Sequence, residues 1–504
     1  MPSNKGDVLS ARVDTKSGPV QGSEADGVAS WLGIPYAAPP WGELRFKEPQ
    51  PVTPWNETRS AVRSGPPAPQ AIQLPGSAME PSDDEAPDCL TLNVWAPSES
   101  GDARAVMVWL HGGAFLAGAG SDPAYAGTAL AKSGVVVVTI NYRLGVDGFG
   151  HIDGAIANRG LLDQVAALEW VRENIGAFGG DPERVTVFGE SAGAASILAL
   201  LTMPRARGLF HRAILQSVSH SFFTSALALS VTEAVAVEAG VPADADSLAQ
   251  LSPQQLAAAT RNVIGQVRTR SDWGRLRFSP SVFGPVIDGD ILPEDPWSAL
   301  RSGVARDVAL IVGHNRDEYR IFLAGQQRLG RITDEEADAA LRTLAPNEDA
   351  DAYRALMPDA GPNELLEKVT GDWLIIAPTM QAADAARDGG GAVFAYELCL
   401  DPAGPMGSPH TLDLPLTFDT FDKGMGVLIP NPTAGEIETG ALLRQAWTRF
   451  ASQGDPGWTQ WGHDRAVQIW GRENPVEHYP ESDRLDLSLS DPTRPLDLVL
   501  IPTP

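Results

Sequence analysis

The sequence predicts an α/β fold, a mostly parallel central sheet covered by helices, and three observations predict it. Short apolar runs recur along the chain, at residues 105–110 (AVMVWL), 135–140 (VVVVTI), 185–188 (VTVF), 213–215, 308–312 (VALIV) and 393–396. Continuous β-branched runs of this length are what strands buried on both faces look like. Helical patterns lie between them. In residues 161–175 (LLDQVAALEWVRENI), Leu161, Val165, Leu168 and Ile175 share one helical face, with Asp163, Glu169, Arg172 and Glu173 largely elsewhere. Finally, the order of the elements is the βαβ alternation that builds a parallel sheet with helical cover.

Ahead of the first run, Pro-rich stretches at residues 35–40 and 66–69 flank a loop-heavy region that reads as turns and edge elements. Two long stretches interrupt the rhythm further on, near residues 222–278 and 320–390. Both are rich in Ala, Asp and Glu at helical spacing. They read as helical insertions that could roof a site, and surface decoration fits their composition equally well.

Composition limits the functions open to this chain of 504 residues. Its net charge of -26 excludes nucleic acid and anionic membrane faces as partners, since binding a polyanion needs clustered Lys and Arg. A hydrophobic content of 43% excludes global disorder. Length alone suggests about three domains. The two cysteines, Cys89 and Cys399, cannot supply a disulfide framework. Residues 1–13 lack the apolar core of a secretory signal, and no apolar run is long enough to cross a bilayer, so a cytoplasmic setting is expected.

The sharpest local feature is Gly189-Glu190-Ser191-Ala192-Gly193, which follows the apolar run 185–188 and precedes an apolar helix at 194–201. A nucleophile projected from a tight strand-to-helix turn needs small residues two before and two after it. That turn also sets Ser191 at a helix N-terminus, where free N–H groups favour developing negative charge. Chance supplies on the order of 0.3 such patterns in a chain of this composition. Context separates this one from chance, because it is the only G-x-S-x-G and it lies where a strand should end. Upstream, His111-Gly112-Gly113-Ala114-Phe115 follows the run 105–110, and small residues there can aim backbone N–H groups into a cavity, as an oxyanion hole requires.

These motifs resemble the type-B carboxylesterases of the α/β-hydrolase superfamily. Phe178-Gly179-Gly180-Asp181-Pro182 with the segment through Gly193 is similar to the family's serine signature. The stretch from Asp88 to Trp95 (DCLTLNVW) is similar to its second signature, with Pro87 where an acidic residue is usual. Further matches run from Gly33-Ile34-Pro35-Tyr36-Ala37 through Asn158-Arg159-Gly160-Leu161 and Pro285-Val286-Ile287-Asp288-Gly289 to Gly454-Asp455-Pro456. That coverage implies one catalytic domain over residues 1–504 instead of three.

A serine hydroxyl needs a base, and the base needs a carboxylate to orient it. In this superfold the chain order is nucleophile, acid, base. The resemblance selects His410, in the loop Gly407-Ser408-Pro409-His410, as the base and Glu318 as the acid, with neighbouring Asp317 as the alternative. Tyr319 stands where a glycine is often found. His463 and His478 read as surface histidines, and His314 and His220 as structural or pocket-lining. Ser217 and Asp413 occupy positions similar to the family's secondary polar network.

The oxyanion hole is then Gly113, Ala114 and Ala192, and Glu190, Phe222 and Phe223 are expected to shape the substrate pocket, the two phenylalanines on the acyl side unless they are simply core. No cofactor or metal is implied, since no cluster has ligand spacing. The expected partner is a small-molecule ester, and the expected state a monomer or small homo-oligomer. Choline esters are disfavoured: residues 71–88 contain no Trp, Tyr or Phe to hold a quaternary ammonium, and Ala68 stands where the family has an early cysteine. Carbamates and activated amides are the second reading, because the same acyl-enzyme chemistry serves them. A purely adhesive member of this fold would lack the nucleophile, and Ser191 is present.

Overall fold

The structure, a computed structural model, describes residues 11–499 apart from 75, 76, 78–85, 100, 403 and 472. The opening segment read for a leader, and most of the interval 71–88 that lacks aromatic residues, lie largely outside the described residues.

Eleven strands form the central sheet: β1 (Ser23–Ala25), β2 (Val28–Pro35), β3 (Thr91–Pro97), β4 (Arg104–Leu110), β5 (Val136–Ile140), β6 (Gly180–Glu190), β7 (Arg212–Gln216), β8 (Ala309–Asn315), β9 (Val393–Leu398), β10 (Ala466–Trp470) and β11 (Val476–His478). Their spatial order is β11-β10-β9-β8-β7-β6-β4-β5-β3-β2-β1. From β5 across to β10 every neighbouring pair is parallel, and the outer pairs are antiparallel.

Strand β4 shows why the apolar runs are continuous. Val106, Val108 and Leu110 belong to one core, with Leu161 and Leu168 of α1 (Arg159–Asn174) and the whole apolar face of α2 (Ala192–Leu200). Met107 and Trp109 belong to the opposite core, with Leu443, Trp447 and Phe450 of α8 (Ala434–Gln453). Side chains alternate across a strand, so a strand covered on both faces must be apolar at every position.

Strand β3 is buried from Thr91 to Ala96 but carries Thr91 and Asn93. The Asn93 amide donates to Thr139 Oγ1 at 3.0 Å and to the Gly120 carbonyl at 3.2 Å, while its oxygen accepts from the Gly33 N–H at 2.9 Å. Those partners make a polar residue tolerable in the core. The strand of residues 185–188 extends in the structure to Gly180–Glu190: β4 and β7 pair with it over residues 185–190, and β4 pairs again at Gly180 across an irregularity.

The two stretches read as insertions are helical in the structure. The first holds α3 (Ser225–Ala239) and α4 (Pro253–Gln266). The second holds α5 (Asp334–Leu344), α6 (Pro362–Gly371), a π turn at Asp372–Ile376 and α7 (Ala377–Asp388). Capping boxes start α4, α5 and α8, pairing Ser252 with Gln255, Thr333 with Glu336 and Thr433 with Glu436. Asn158 ties the framework together, since its amide donates to the Val286 carbonyl at 2.7 Å and accepts from the Val286 N–H at 2.8 Å. Among the described residues no helix is long and apolar enough to cross a membrane.

Candidate active site

Ser191 caps α2 with φ 56° and ψ -118°, a conformation that L residues rarely adopt and that costs about 1–3 kcal/mol. Strands on both sides hold it there. The Ser191 N–H donates to the Gln216 carbonyl at the end of β7, at 2.9 Å. Behind it, a Cβ on Gly193 would stand 2.0 Å from the Leu110 carbonyl oxygen, so only glycine lets α2 start this close to β4. Ser191 is partly exposed while every residue of α2 is buried.

The loop after β4 folds over this turn. Gly113, Ala114 and Phe115 all have positive φ, at 115°, 57° and 58°. The N–H groups of Leu116 and Ala117 both donate to the Gly113 carbonyl at 3.0 Å, which turns the peptide units of this loop inward. The His111 ring stacks on Tyr142 at 4.3 Å, and the Tyr142 hydroxyl donates to the His111 carbonyl at 2.7 Å. Burial holds the His111 imidazole down at about 4, hence neutral. On the far side, the Ser281 hydroxyl lies against the Ala114 carbonyl. Among the described residues the N–H groups of Gly113 and Ala114 have no acceptor. Ala192 is the first residue of α2, where an N–H has no partner within the helix.

His410 and Glu318 meet beside the same turn. His410 Nδ1 lies 2.6 Å from Glu318 Oε2. Glu318 Oε1 accepts from the Ser217 hydroxyl at 2.6 Å and from the Asn315 N–H at 2.7 Å, so the fully buried carboxylate is held from three sides. His410 Nε2 faces Glu190 Oε1 at 3.0 Å, close enough for an ion pair though not aligned for a hydrogen bond. Burial alone would push the imidazole down, but Glu190 and Glu318 outweigh it and raise its pKa well above the ordinary histidine value. Burial also raises the Glu190 carboxyl, with His410 pulling the other way.

Asp317, the alternative acid, is held elsewhere. Burial would raise its carboxyl, but Lys368 at 3.1 Å, Arg316 at 2.8 Å and Arg320 at 3.3 Å hold it down to about 2. Its contacts stay within that cluster and the Ser408 N–H. Asp413 lies behind the site, accepting from the Gln216 amide at 2.6 Å and the Tyr396 hydroxyl at 3.1 Å. Burial, with Glu190 adding to it, pushes the Asp413 carboxyl up to about 7. Among the described residues no three His, Cys, Asp or Glu side chains are grouped as a metal site would need.

Phe222 and Phe223 are fully buried beyond Ser217. Phe222 packs edge-on against Trp297 at 5.1 Å. Its carbonyl accepts from the Leu496 N–H at 2.7 Å, and the Leu496 carbonyl accepts from the Thr224 N–H at 2.9 Å, so a late segment of the chain covers this edge. His220 is structural, with Nε2 2.7 Å from the Arg494 carbonyl. So is His314, set between the Asn315 carbonyl and the Tyr479 hydroxyl.

The Carboxylesterase family matches residues 9–473. The chain belongs to that family. Among its relatives, para-nitrobenzyl esterase of Bacillus subtilis is 36% identical over 487 residues, 94% of this chain and 97% of that protein. Phenmedipham hydrolase of Pseudarthrobacter oxydans is 35% identical, covering 90% of this chain and 91% of its own. A solved structure of a thermophilic PNB esterase superposes with a TM-score of 0.84 at 37% identity, over 95% of this chain and 99% of the other. The fold is the α/β-hydrolase fold, and the chain is a carboxylic ester hydrolase.

Within this carboxylesterase, sequence reasoning missed several groups that shape the site. Asn315 stands three residues before Glu318, yet its N–H on the carboxylate is a backbone contact that no residue pattern announces. Ser281 reaches the Ala114 carbonyl from 167 positions away in the chain, and Tyr396 reaches Asp413 from inside β9. A buried tyrosine in an apolar strand was the one available signal, since its hydroxyl needs a partner.

Proposed function

We propose that Ser191 is the nucleophile of this ester hydrolase, His410 its base and Glu318 the acid that orients the base. The observation carrying the assignment is the 2.6 Å contact between His410 and a Glu318 carboxylate fixed by Ser217 and Asn315, beside the strained Ser191 turn. Ser191 Oγ attacks the ester carbonyl carbon as its proton passes to His410 Nε2. The oxyanion formed is held by the N–H groups of Gly113, Ala114 and Ala192. His410 then gives the proton to the departing alkoxide, and the acyl group stays on Ser191. Water attacks that acyl-enzyme with His410 as base, releasing the carboxylic acid.

Before Ser191 can be deprotonated, His410 Nε2 must leave Glu190 and engage the serine. Glu190 then acts by its charge on the imidazole, while the full burial of Phe222 and Phe223 fits the reading of both as core that backs the acyl side from behind without facing the substrate. Ser191→Ala is expected to abolish hydrolysis of a 4-nitrophenyl ester and labelling by a fluorophosphonate while the protein stays folded. Retained turnover would sink the assignment.

A second reading, hydrolysis of carbamates, is favoured by the relative named for phenmedipham, a carbamate. Turnover of matched nitrophenyl ester, aryl carbamate and anilide substrates separates it from the first. We place the enzyme in the cytoplasm as one catalytic unit, monomeric or a small homo-oligomer. Cell fractionation and sedimentation test these placements.

A further inference from the structure

The helical segments enclose a second space next to the site, a cavity of about 500 Å³ between the end of α4, residues 277–282 and residues 319–328. Two parts of its wall touch the catalytic groups. Phe322 lies against the His410 imidazole, with ring centroids 5.4 Å apart. Pro280 and Val282 flank Ser281, whose hydroxyl lies on the Ala114 carbonyl of the oxyanion loop.

The remaining wall mixes apolar side chains such as Ile264, Val267 and Phe278 with three arginines, Arg268, Arg277 and Arg328. Residues 261–277 hold five arginines and one carboxylate, Asp272, in a chain whose net charge is -26. Three of the six arginines in and around the cavity are paired with carboxylates: Arg270 with Asp272 at 2.7 Å, Arg275 3.7 Å from Asp491, and Arg328 with Glu336 at 2.6 Å. Arg261, which donates to the Ala71 carbonyl, Arg268 and Arg277 are not, and of these Arg268 and Arg277 line the cavity. Arg268 donates only to the neutral Gln326 amide oxygen at 2.7 Å, and Arg277 to the Gly274 carbonyl at 3.1 Å with its guanidinium 5.8 Å from the Phe278 ring. Among the described residues neither has a carboxylate partner. In a chain with 64 Asp and Glu against 38 Lys and Arg, the exposed Arg268 and the half-buried Arg277 on one cavity wall beside the catalytic groups, neither held by a carboxylate, offer a place for an anion.

We propose that this cavity binds a carboxylate carried on the alcohol half of the ester. The inference rests on the ester-hydrolase reading and names its substrate class. The side follows from proton transfer: the leaving alkoxide takes its proton from His410, so the alcohol half lies toward the imidazole, and Phe322 stands between that imidazole and the cavity. Guanidinium groups suit this task because their planar forks match a carboxylate.

The test compares kcat/KM for 4-(carboxymethyl)phenyl butyrate with that for its neutral amide analogue, 4-(carbamoylmethyl)phenyl butyrate, at low salt. The wild-type ratio is expected to favour the anion about tenfold, and to fall toward one in 0.5 M salt. The double substitution Arg268→Gln and Arg277→Gln is expected to cut the ratio by about tenfold, and Arg→Lys at both positions to retain more of it. Fluorophosphonate labelling of Ser191 reports that each variant is folded, and the wild-type ratio and salt titration need no variant. A wild-type ratio of one or below overturns the proposal, as does a ratio unmoved by salt or by the double substitution. So does an arginine-dependent ratio seen only when the carboxylate is on the acyl half, as in phenyl hemisuccinate against phenyl butyrate. Turnover of the neutral ester that survives Ser191→Ala would instead sink the ester-hydrolase reading of this site, which separates the two failures.

Discussion

His410 stands between two carboxylates, and with His410 as the proposed base its protonation is expected to set the pH at which the enzyme works. A base must be neutral to take a proton, so kcat/KM falls as pH drops through the imidazole pKa, which Glu190 and Glu318 raise against the effect of burial. Glu190→Gln removes one of the two charges and is expected to move the acid limb of the pH profile down by about 1–2 units. An unmoved limb would show that Glu190 does not set the imidazole charge. Glu318→Gln removes the orienting carboxylate and is expected to lower kcat by about 10³–10⁴-fold with the fold intact, read by ester turnover beside circular dichroism. Asp413 carries a stability signature. Its folded pKa of about 7 lies above that of an unfolded aspartate, so the native protein holds a proton the unfolded chain releases, and stability falls as pH rises from about 4 to about 7. Asp413→Asn keeps an oxygen for Gln216 and Tyr396 and is expected to be more stable at pH 8 by on the order of 3 kcal/mol, with little gain at pH 4. Urea unfolding at the two pH values checks this, and equal gains would contradict it. At this scale the Ser191 turn was legible because a nucleophile there demands a local motif, and His410 stood out by chain order and family resemblance. Ser281 was not, because its role exists only after folding brings it to Ala114.

The unit of strand β6, turn and helix α2 works because Gly193 lets two backbones touch. Gly193→Ala would press a methyl group into the Leu110 carbonyl and push α2 off β4, with an expected loss of stability of about 3 kcal/mol or more and a displaced nucleophile. Thermal unfolding and phosphonate labelling read the two effects, and a variant as stable and reactive as wild type would refute the close-contact account. On the opposing loop, Ser281→Ala unlatches the Ala114 peptide and is expected to lower kcat by about tenfold with a smaller change in KM. Strands β4, β5, β6, β7, β8 and β9 were legible because both of their faces are covered, leaving unbroken apolar runs. Strand β3 was hidden by the internally satisfied Asn93, β10 by Gln468 within its short run, and β11 by its place at the sheet edge, where pairing with β10 alone demands no such pattern.

Over the whole molecule, the motifs that are scattered in sequence converge on one sheet end. Asn158 and Val286 explain two of them without chemistry, since each motif is one half of a two-point backbone clamp. The acidic surface was legible from composition, whereas the arginine-lined cavity was not, because pairing separates Arg268 and Arg277 from their neighbours only in three dimensions. The late segment matters at this scale as well. Leu496 binds Phe222 and Thr224 through the backbone, and the Arg494 carbonyl meets His220. Deletion from residue 490 onward is expected to lower the melting temperature and ester turnover together, as a thermal melt and a rate assay would show; full activity without that segment would contradict the bracing role. During translation, then, a ribosome that has already delivered Ser191, Glu318 and His410 has still to deliver the residues that close the wall beside Phe223. A nascent chain that has not yet delivered residue 496 is therefore expected to hydrolyse esters less well than the finished enzyme.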